Sequence, residues 1–128
     1  DEAALDDAVR FSHEDVMKIG FPDGAFDAVV SNRLFHHFTE APTRQRALSE
    51  LARVSRGPVV VSFFCSFALS ALKQRIVNAA RGVVPADRVP ISFRAFREDL
   101  EAAGLRADAV HPVRFGVSPQ TYVRAVRA

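Results

Sequence analysis

The sequence has no tryptophan and one tyrosine against eleven phenylalanines, so its aromatic area goes mainly into packing. It has one cysteine, which excludes an internal disulfide. Cys65 lies in an apolar run and reads as a small buried hydrophobe in a reducing, cytoplasmic compartment. It also has little excess charge. Seventeen basic side chains, mostly Arg, against fifteen acidic ones leave a formal charge of +2. Arg106, Arg114, Arg124 and Arg127 carry no interleaved aromatics, so no nucleic-acid partner is expected. The most apolar stretch, Val59 to Leu72, is broken by Ser62, Ser66 and Ser70, and it falls short of the roughly 20 residues a bilayer-spanning helix needs. The opening residues contain neither a basic region nor an apolar core of a signal peptide, and a soluble chain is expected. His13-Glu14 lacks the second histidine of a HExxH zinc motif, and no glycine-rich phosphate loop occurs.

The 128 residues suit one domain. Their 48% hydrophobic and 25% charged composition is that of a globular chain. Asp1 to Ala8 reads as a short helical remnant, and Val9 to Ser12 as a strand leading into Asp15. Pro22-Asp23-Gly24 marks a turn, and Phe26 to Ser31 a strand with the unbroken apolar run of a sheet covered on both faces. Pro42 opens a helix whose inward face carries Ala47, Leu48, Leu51, Ala52 and Val54, and Gly57-Pro58 ends it. Val59 to Phe64 is the strongest strand signal. A helix over about 66–81 follows, then one capped by Ser92 with Phe93, Phe96, Leu100 and Ala103 on one stripe and Gly104 after its end. Strands around 109–115 and 121–126 close the chain as an antiparallel hairpin. This order predicts an α/β fold of Rossmann type, a mostly parallel sheet with helices on both faces.

In open α/β sheets, ligands gather beyond the carboxyl ends of the strands. Two segments fall there: 12–16, after the first expected strand, and 31–38, after the second. The Asp15 carboxylate is able to accept from an exocyclic amine while the neighbouring amide donates to a ring nitrogen, the two contacts that read an adenine edge. The plainer alternative is that Asp15 caps a turn. His36 and His37 are weak candidates for a catalytic base. Adjacent side chains point differently on a regular element, so metal chelation by the pair is not expected.

Asp15, then Ile19-Gly20-Phe21-Pro22-Asp23-Gly24-Ala25-Phe26-Asp27-Ala28-Val29-Val30-Ser31-Asn32 and Leu34-Phe35-His36-His37-Phe38, resembles class I S-adenosylmethionine-dependent methyltransferases. The continuation 48–54, the valine strand, and Asp99-Leu100-Glu101-Ala102-Ala103-Gly104-Leu105 before a terminal hairpin follow the same family's order. The resemblance implies that Asp15 meets the adenine amino group and the Val16 backbone the ring, and that Ser31, Asn32 and Leu34 line the methionine side of S-adenosylmethionine. It implies methyl transfer to a small-molecule acceptor, with about 65–91 (Phe67, Leu69, Leu72, Ile76, Val77) as a candidate acceptor wall. Asp23, Gly24, Phe26 and Asp27 are expected to be structural. Arg88, Arg94 and Arg97 are expected at the surface.

Two features depart from the family. Ser55-Arg56-Gly57-Pro58 stands where Gly-Gly is usual. The strand, glycine-rich turn and acid-ended second strand that open the family's domain are absent, so the expected domain, 1–128, is a C-terminal portion lacking the first strand-helix-strand unit. On that reading the isolated chain binds the cofactor weakly and does not turn over, and an exposed sheet edge permits homo-oligomers. The alternative function is a non-catalytic α/β interaction module derived from a methyltransferase.

Overall fold

The computed structural model describes residues 8–64, 76–77, 79–80, 91–113 and 120–128. Strand β1 is Val29–Ser31, followed by a 3₁₀ turn at Phe35–His37 and helix α1 at Ala41–Val54. Strand β2 is Val59–Phe64, helix α2 Phe93–Ala102, β3 Leu105–Pro112 and β4 Gln120–Arg127. The sheet order is β1-β2-β4-β3. β1 and β2 are parallel, while β4 runs antiparallel to both β2 and β3. The Rossmann-like α/β class and terminal hairpin are as expected, but only one of the three described pairings is parallel.

Alternation along the strands divides the sheet. Val59, Val61 and Phe63 share a face with their register partners Ala125, Val123 and Thr121. Against that face lie Leu48 and Leu51 of α1 and Phe96 and Leu100 of α2, joined in one buried cluster with Phe35. Phe96 stacks on Phe63 at 4.2 Å between ring centroids and meets Phe35 edge-on at 5.9 Å. Pro42 sits in the first turn of α1, where its missing N–H is not needed. The Ser92 hydroxyl caps α2 by accepting from the Ala95 N–H at 3.1 Å. Gly104 follows α2 with φ +77°, a conformation that favours glycine.

Some sequence expectations change. Residues 9–14 form no strand, and Phe11 is 95% exposed, because no described strand lies beside them to complete a ladder. The Phe26 strand shortens to Val29–Ser31, leaving Phe26 in an isolated parallel bridge to Ser55. The first strand of the final hairpin begins earlier than expected, at the buried Leu105. Of the expected helix over 66–81, residues 76–77 and 79–80 are described and helical; the rest, with 1–7, most of the candidate acceptor wall, Arg88 and Arg114, lies outside the described residues. Ile76 is exposed and Val77 half-buried. Arg94 and Arg97 pair along the surface of α2 with Glu98 and Glu101. β1 has no described strand on its outer side, and Val30 there is 68% exposed.

Gly57 is required by contact rather than by dihedral freedom. A Cβ at this position would stand 2.0 Å from the Asp27 carbonyl oxygen. Glycine here lets the α1–β2 connection lie against the segment entering β1. Gly57→Ala is expected to destabilise the fold by about 1–3 kcal/mol through overpacking. A urea denaturation midpoint equal to wild type would refute the close approach.

Candidate functional site

The carboxyl ends of the two parallel strands define one end of the sheet, and Ser31 and Phe64 stand there. The chain leaves β1 through Asn32 and Arg33, and Arg33 takes φ 58°, a left-handed conformation uncommon for a side-chain-bearing residue. The Arg33 N–H is satisfied by the Ser62 hydroxyl at 2.7 Å. Strained backbone held by a β2 side chain gives a defined bend at the strand exit. Ser31 is buried and Leu34 half-buried against the core, whereas Asn32 is exposed.

Asn32 is the meeting point of three elements. Its Oδ1 accepts from the Tyr122 hydroxyl at 2.9 Å, from Gln120 Nε2 at 3.3 Å and from the Ser62 hydroxyl at 3.3 Å. Sequence reasoning did not find Ser62, Gln120 or Tyr122, because only the pairing of β2 with β1 and of β4 with β2 carries them to the exit of β1.

Asp15 is reached from the other side, along α1. Arg46 donates to the Met17 carbonyl at 2.9 Å, Glu50 accepts from the Ile19 N–H at 2.8 Å, and Arg53 donates to the Ile19 and Phe21 carbonyls at 2.8 and 2.9 Å. Residues 17 to 21 thus run alongside α1 in its own direction. Since α1 travels from the β1 exit back toward the start of β2, the 15–18 turn lies at the end of this segment nearer the β1 exit. No hydrogen bond joins Asp15 to Asn32. Asp15 is exposed, its Oδ1 accepts from the Met17 N–H at 2.9 Å, and its carbonyl from the Lys18 N–H at 3.0 Å. It does cap a turn, and the carboxylate keeps further acceptor capacity. The half-buried Val16 makes no hydrogen bond through its N–H among the described residues.

Glu50 anchors this arrangement. Its hydrogen bonds with Arg53, then that with the Ile19 N–H, outweigh burial and bring its carboxyl from an ordinary 4.5 down to about 2. A depressed carboxylate contributes stability that is present above pH 4.5 and is lost as pH falls toward 2. The stability gap between wild type and Glu50→Gln is therefore expected to narrow from pH 5 to pH 2. Thermal unfolding across that range reads it, and a constant gap would show that Glu50 is not the anchor.

His36 is buried and stacks on Phe64 at 4.4 Å, while exposed His37 lies 4.1 Å from it between ring centroids. The rings are neighbours, contrary to the divergence expected of adjacent residues, because the tight 3₁₀ turn brings them together. No group of three or more metal-ligating side chains occurs among the described residues. Asp23 and Asp27 have structural partners, Arg53 and Arg56, and Gly24 takes the positive φ of its turn. An open depression between Arg53 and Arg127 lies at the opposite end of the sheet. Both guanidiniums are already committed there, Arg53 to Glu50 and Asp23, Arg127 to the Ala52 and Ser55 carbonyls.

Residues 1–63, which include Asp15, the strand exit and both histidines, match the sequence model of the methyltransferase-domain family. The chain is 29% identical over 118 residues to 27-O-demethylrifamycin SV methyltransferase of Amycolatopsis mediterranei (strain S699), covering 88% of its own length and 41% of that relative. It therefore spans less than half of that protein. Among solved structures, magnesium protoporphyrin IX methyltransferase from Synechocystis PCC 6803, with bound SAH, superposes with TM-score 0.66 at 18% identity, over 90% of this chain and 49% of that one. An O-methyltransferase from neocarzinostatin biosynthesis, in complex with S-adenosyl-L-homocysteine and 1,4-dihydroxy-2-naphthoic acid, gives TM-score 0.72 at 17% identity, over 99% and 36%. At these identities the likeness is one of fold. Among the described residues no helix is long and apolar enough to cross a membrane.

Proposed function

We propose that this chain forms part of an S-adenosylmethionine-dependent methyltransferase acting on a small-molecule acceptor in the cytoplasm. The observation carrying the proposal is the pairing, in the turn that leads into the segment beside α1, of an exposed Asp15 carboxylate with a Val16 N–H that has no described partner. That donor set fits the amino group and ring nitrogen of adenine. Ser31, Asn32 and Leu34 would line the methionine side. No glycine-rich turn stands ahead of Asp15 in this sequence, and we assign the chain to the C-terminal portion of the family's domain. Relatives that act on rifamycin and protoporphyrin derivatives, or hold a dihydroxynaphthoic acid, support a small organic acceptor.

When bound, S-adenosylmethionine would supply an electrophilic methyl group for the acceptor. The residues here hold and orient, which is the main demand of such a transfer. His37, exposed beside the strand exit, is the candidate to take the acceptor's proton, and His36 positions it from its stack on Phe64.

Adenosine titrated into the isotope-labelled chain is expected to shift the Val16 amide resonance. Asp15→Ala removes a hydrogen bond to a charged group, worth about 1.5–3 kcal/mol, and should weaken binding about tenfold or more. An Asp15→Ala chain that binds adenosine as wild type does would overturn the assignment.

A further inference from the structure

We infer that the Asn32 side chain recognises an oxygen atom of the methyl acceptor, and that Tyr122 is the positioning residue that gives Asn32 this polarity. The inference rests on the methyltransferase reading and sharpens it, because that reading leaves the acceptor atom open.

An asparagine carbonyl oxygen has two lone pairs, and its nitrogen carries two donors. Asn32 Oδ1 is approached by three donors, the Tyr122 hydroxyl at 2.9 Å, Gln120 Nε2 at 3.3 Å and the Ser62 hydroxyl at 3.3 Å. These partners are themselves held. Gln120 Nε2 also donates to the Tyr122 hydroxyl at 3.1 Å, and the Ser62 hydroxyl accepts the Arg33 N–H at 2.7 Å. The accepting end of Asn32 is thus consumed inside the protein. Its Nδ2 makes no hydrogen bond among the described residues, and the residue is exposed at the sheet end where the proposed site lies.

A group that can only donate selects its partner. It pairs with the lone pairs of a hydroxyl, phenolate or carbonyl oxygen, and it offers nothing to an ammonium, which also only donates. The charge nearby acts in the same sense. Arg33 is the next residue, exposed, with no ion pair among the described residues, and no carboxylate belongs to the cluster. Electron-rich oxygen is favoured at this position and a cationic amine disfavoured.

Tyr122 is decisive because its hydroxyl makes the shortest bond to Asn32 Oδ1. Without it, the amide is free to turn over and present its carbonyl instead, at the loss of weaker contacts. The selectivity for oxygen therefore depends on a residue on β4, 90 positions along the chain.

The test uses phenol and benzylamine as probes, followed through the Asn32 side-chain amide resonances. In wild type, phenol is expected to shift the Asn32 NH₂ pair and benzylamine to leave it unmoved. In Tyr122→Phe, whose backbone resonances report an intact fold, the phenol response should fall at least threefold. Asn32→Asp, read at the Arg33 and Ser62 amides, should reverse the preference toward benzylamine and keeps the idea testable if Tyr122→Phe does not fold. Equal responses to the two probes in wild type, or a full phenol response in Tyr122→Phe, would overturn the inference. The two readings fail separately. Loss of the adenosine response at Val16 with phenol selectivity retained at Asn32 would sink the cofactor assignment alone, and the converse would sink this one.

Discussion

Replacing Arg44 with alanine is expected to destabilise the fold by about 3–5 kcal/mol, the range for breaking a buried ion pair by removing one partner. Arg44 Nε donates to Asp99 Oδ2 at 2.6 Å, and Gln45 Nε2 donates to Asp99 Oδ1 at 3.0 Å. The Asp99 side chain is 2% exposed and that of Arg44 8%. Without the guanidinium, Asp99 keeps a single neutral donor in a place that water does not reach. The same guanidinium donates to the Phe38 and Thr39 carbonyls at 3.2 and 3.1 Å, so it also holds the link between the 3₁₀ turn and α1. Urea denaturation of Arg44→Ala measures the loss. The double change Arg44→Met with Asp99→Leu should recover most of it, because no buried charge is then left alone. A single mutant within about 1 kcal/mol of wild type would mean that the pair is solvated and that the account is wrong.

The second large effect lies next to the histidines. Phe35→Ala is expected to cost about 3–5 kcal/mol, as truncation of a fully buried phenylalanine does. Phe35 is 0% exposed and meets Phe38 and Phe96 edge-on at 5.7 and 5.9 Å. It is the anchor by which the 3₁₀ turn is fastened to the core, one residue before His36. The loss should therefore extend to the site, with the His36 and Phe64 ring resonances moving toward their unstacked positions, while the α2 cap at Ser92 is unaffected. Unchanged His36 and Phe64 resonances in a destabilised Phe35→Ala chain would show that the histidine turn is held by something else.

These two residues show how far the sequence could be read. Phe35 is the apolar residue a reader places inward. Arg44 and Asp99 each stand on a helix with other charged residues around them, and their burial depends on helices that meet 55 positions apart. Glu50 was hidden in the same way within an otherwise amphipathic pattern. The resemblance joined Asp15 and the Ser31-Asn32 bend in one site, and in the fold they stand on separate segments with no hydrogen bond between them. The strand expected at 9–12 failed for a physical reason: alternation is a local property, whereas a strand exists only when another backbone completes its hydrogen bonds.

By itself, the sequence determined what short-range chemistry decides. The valine strand, the helix opened by Pro42 and the helix capped by Ser92, the Gly24 and Gly104 turns and the resemblance through residues 15–38 all follow from local pattern and side-chain type. Only the tertiary structure decided which polar groups face one another. The Asn32 clasp, the Arg44–Asp99 pair and the approach of Gly57 to the Asp27 carbonyl each join residues about 30 to 90 positions apart. Such contacts depend on sheet order and register, and neither is encoded in a window of neighbouring residues.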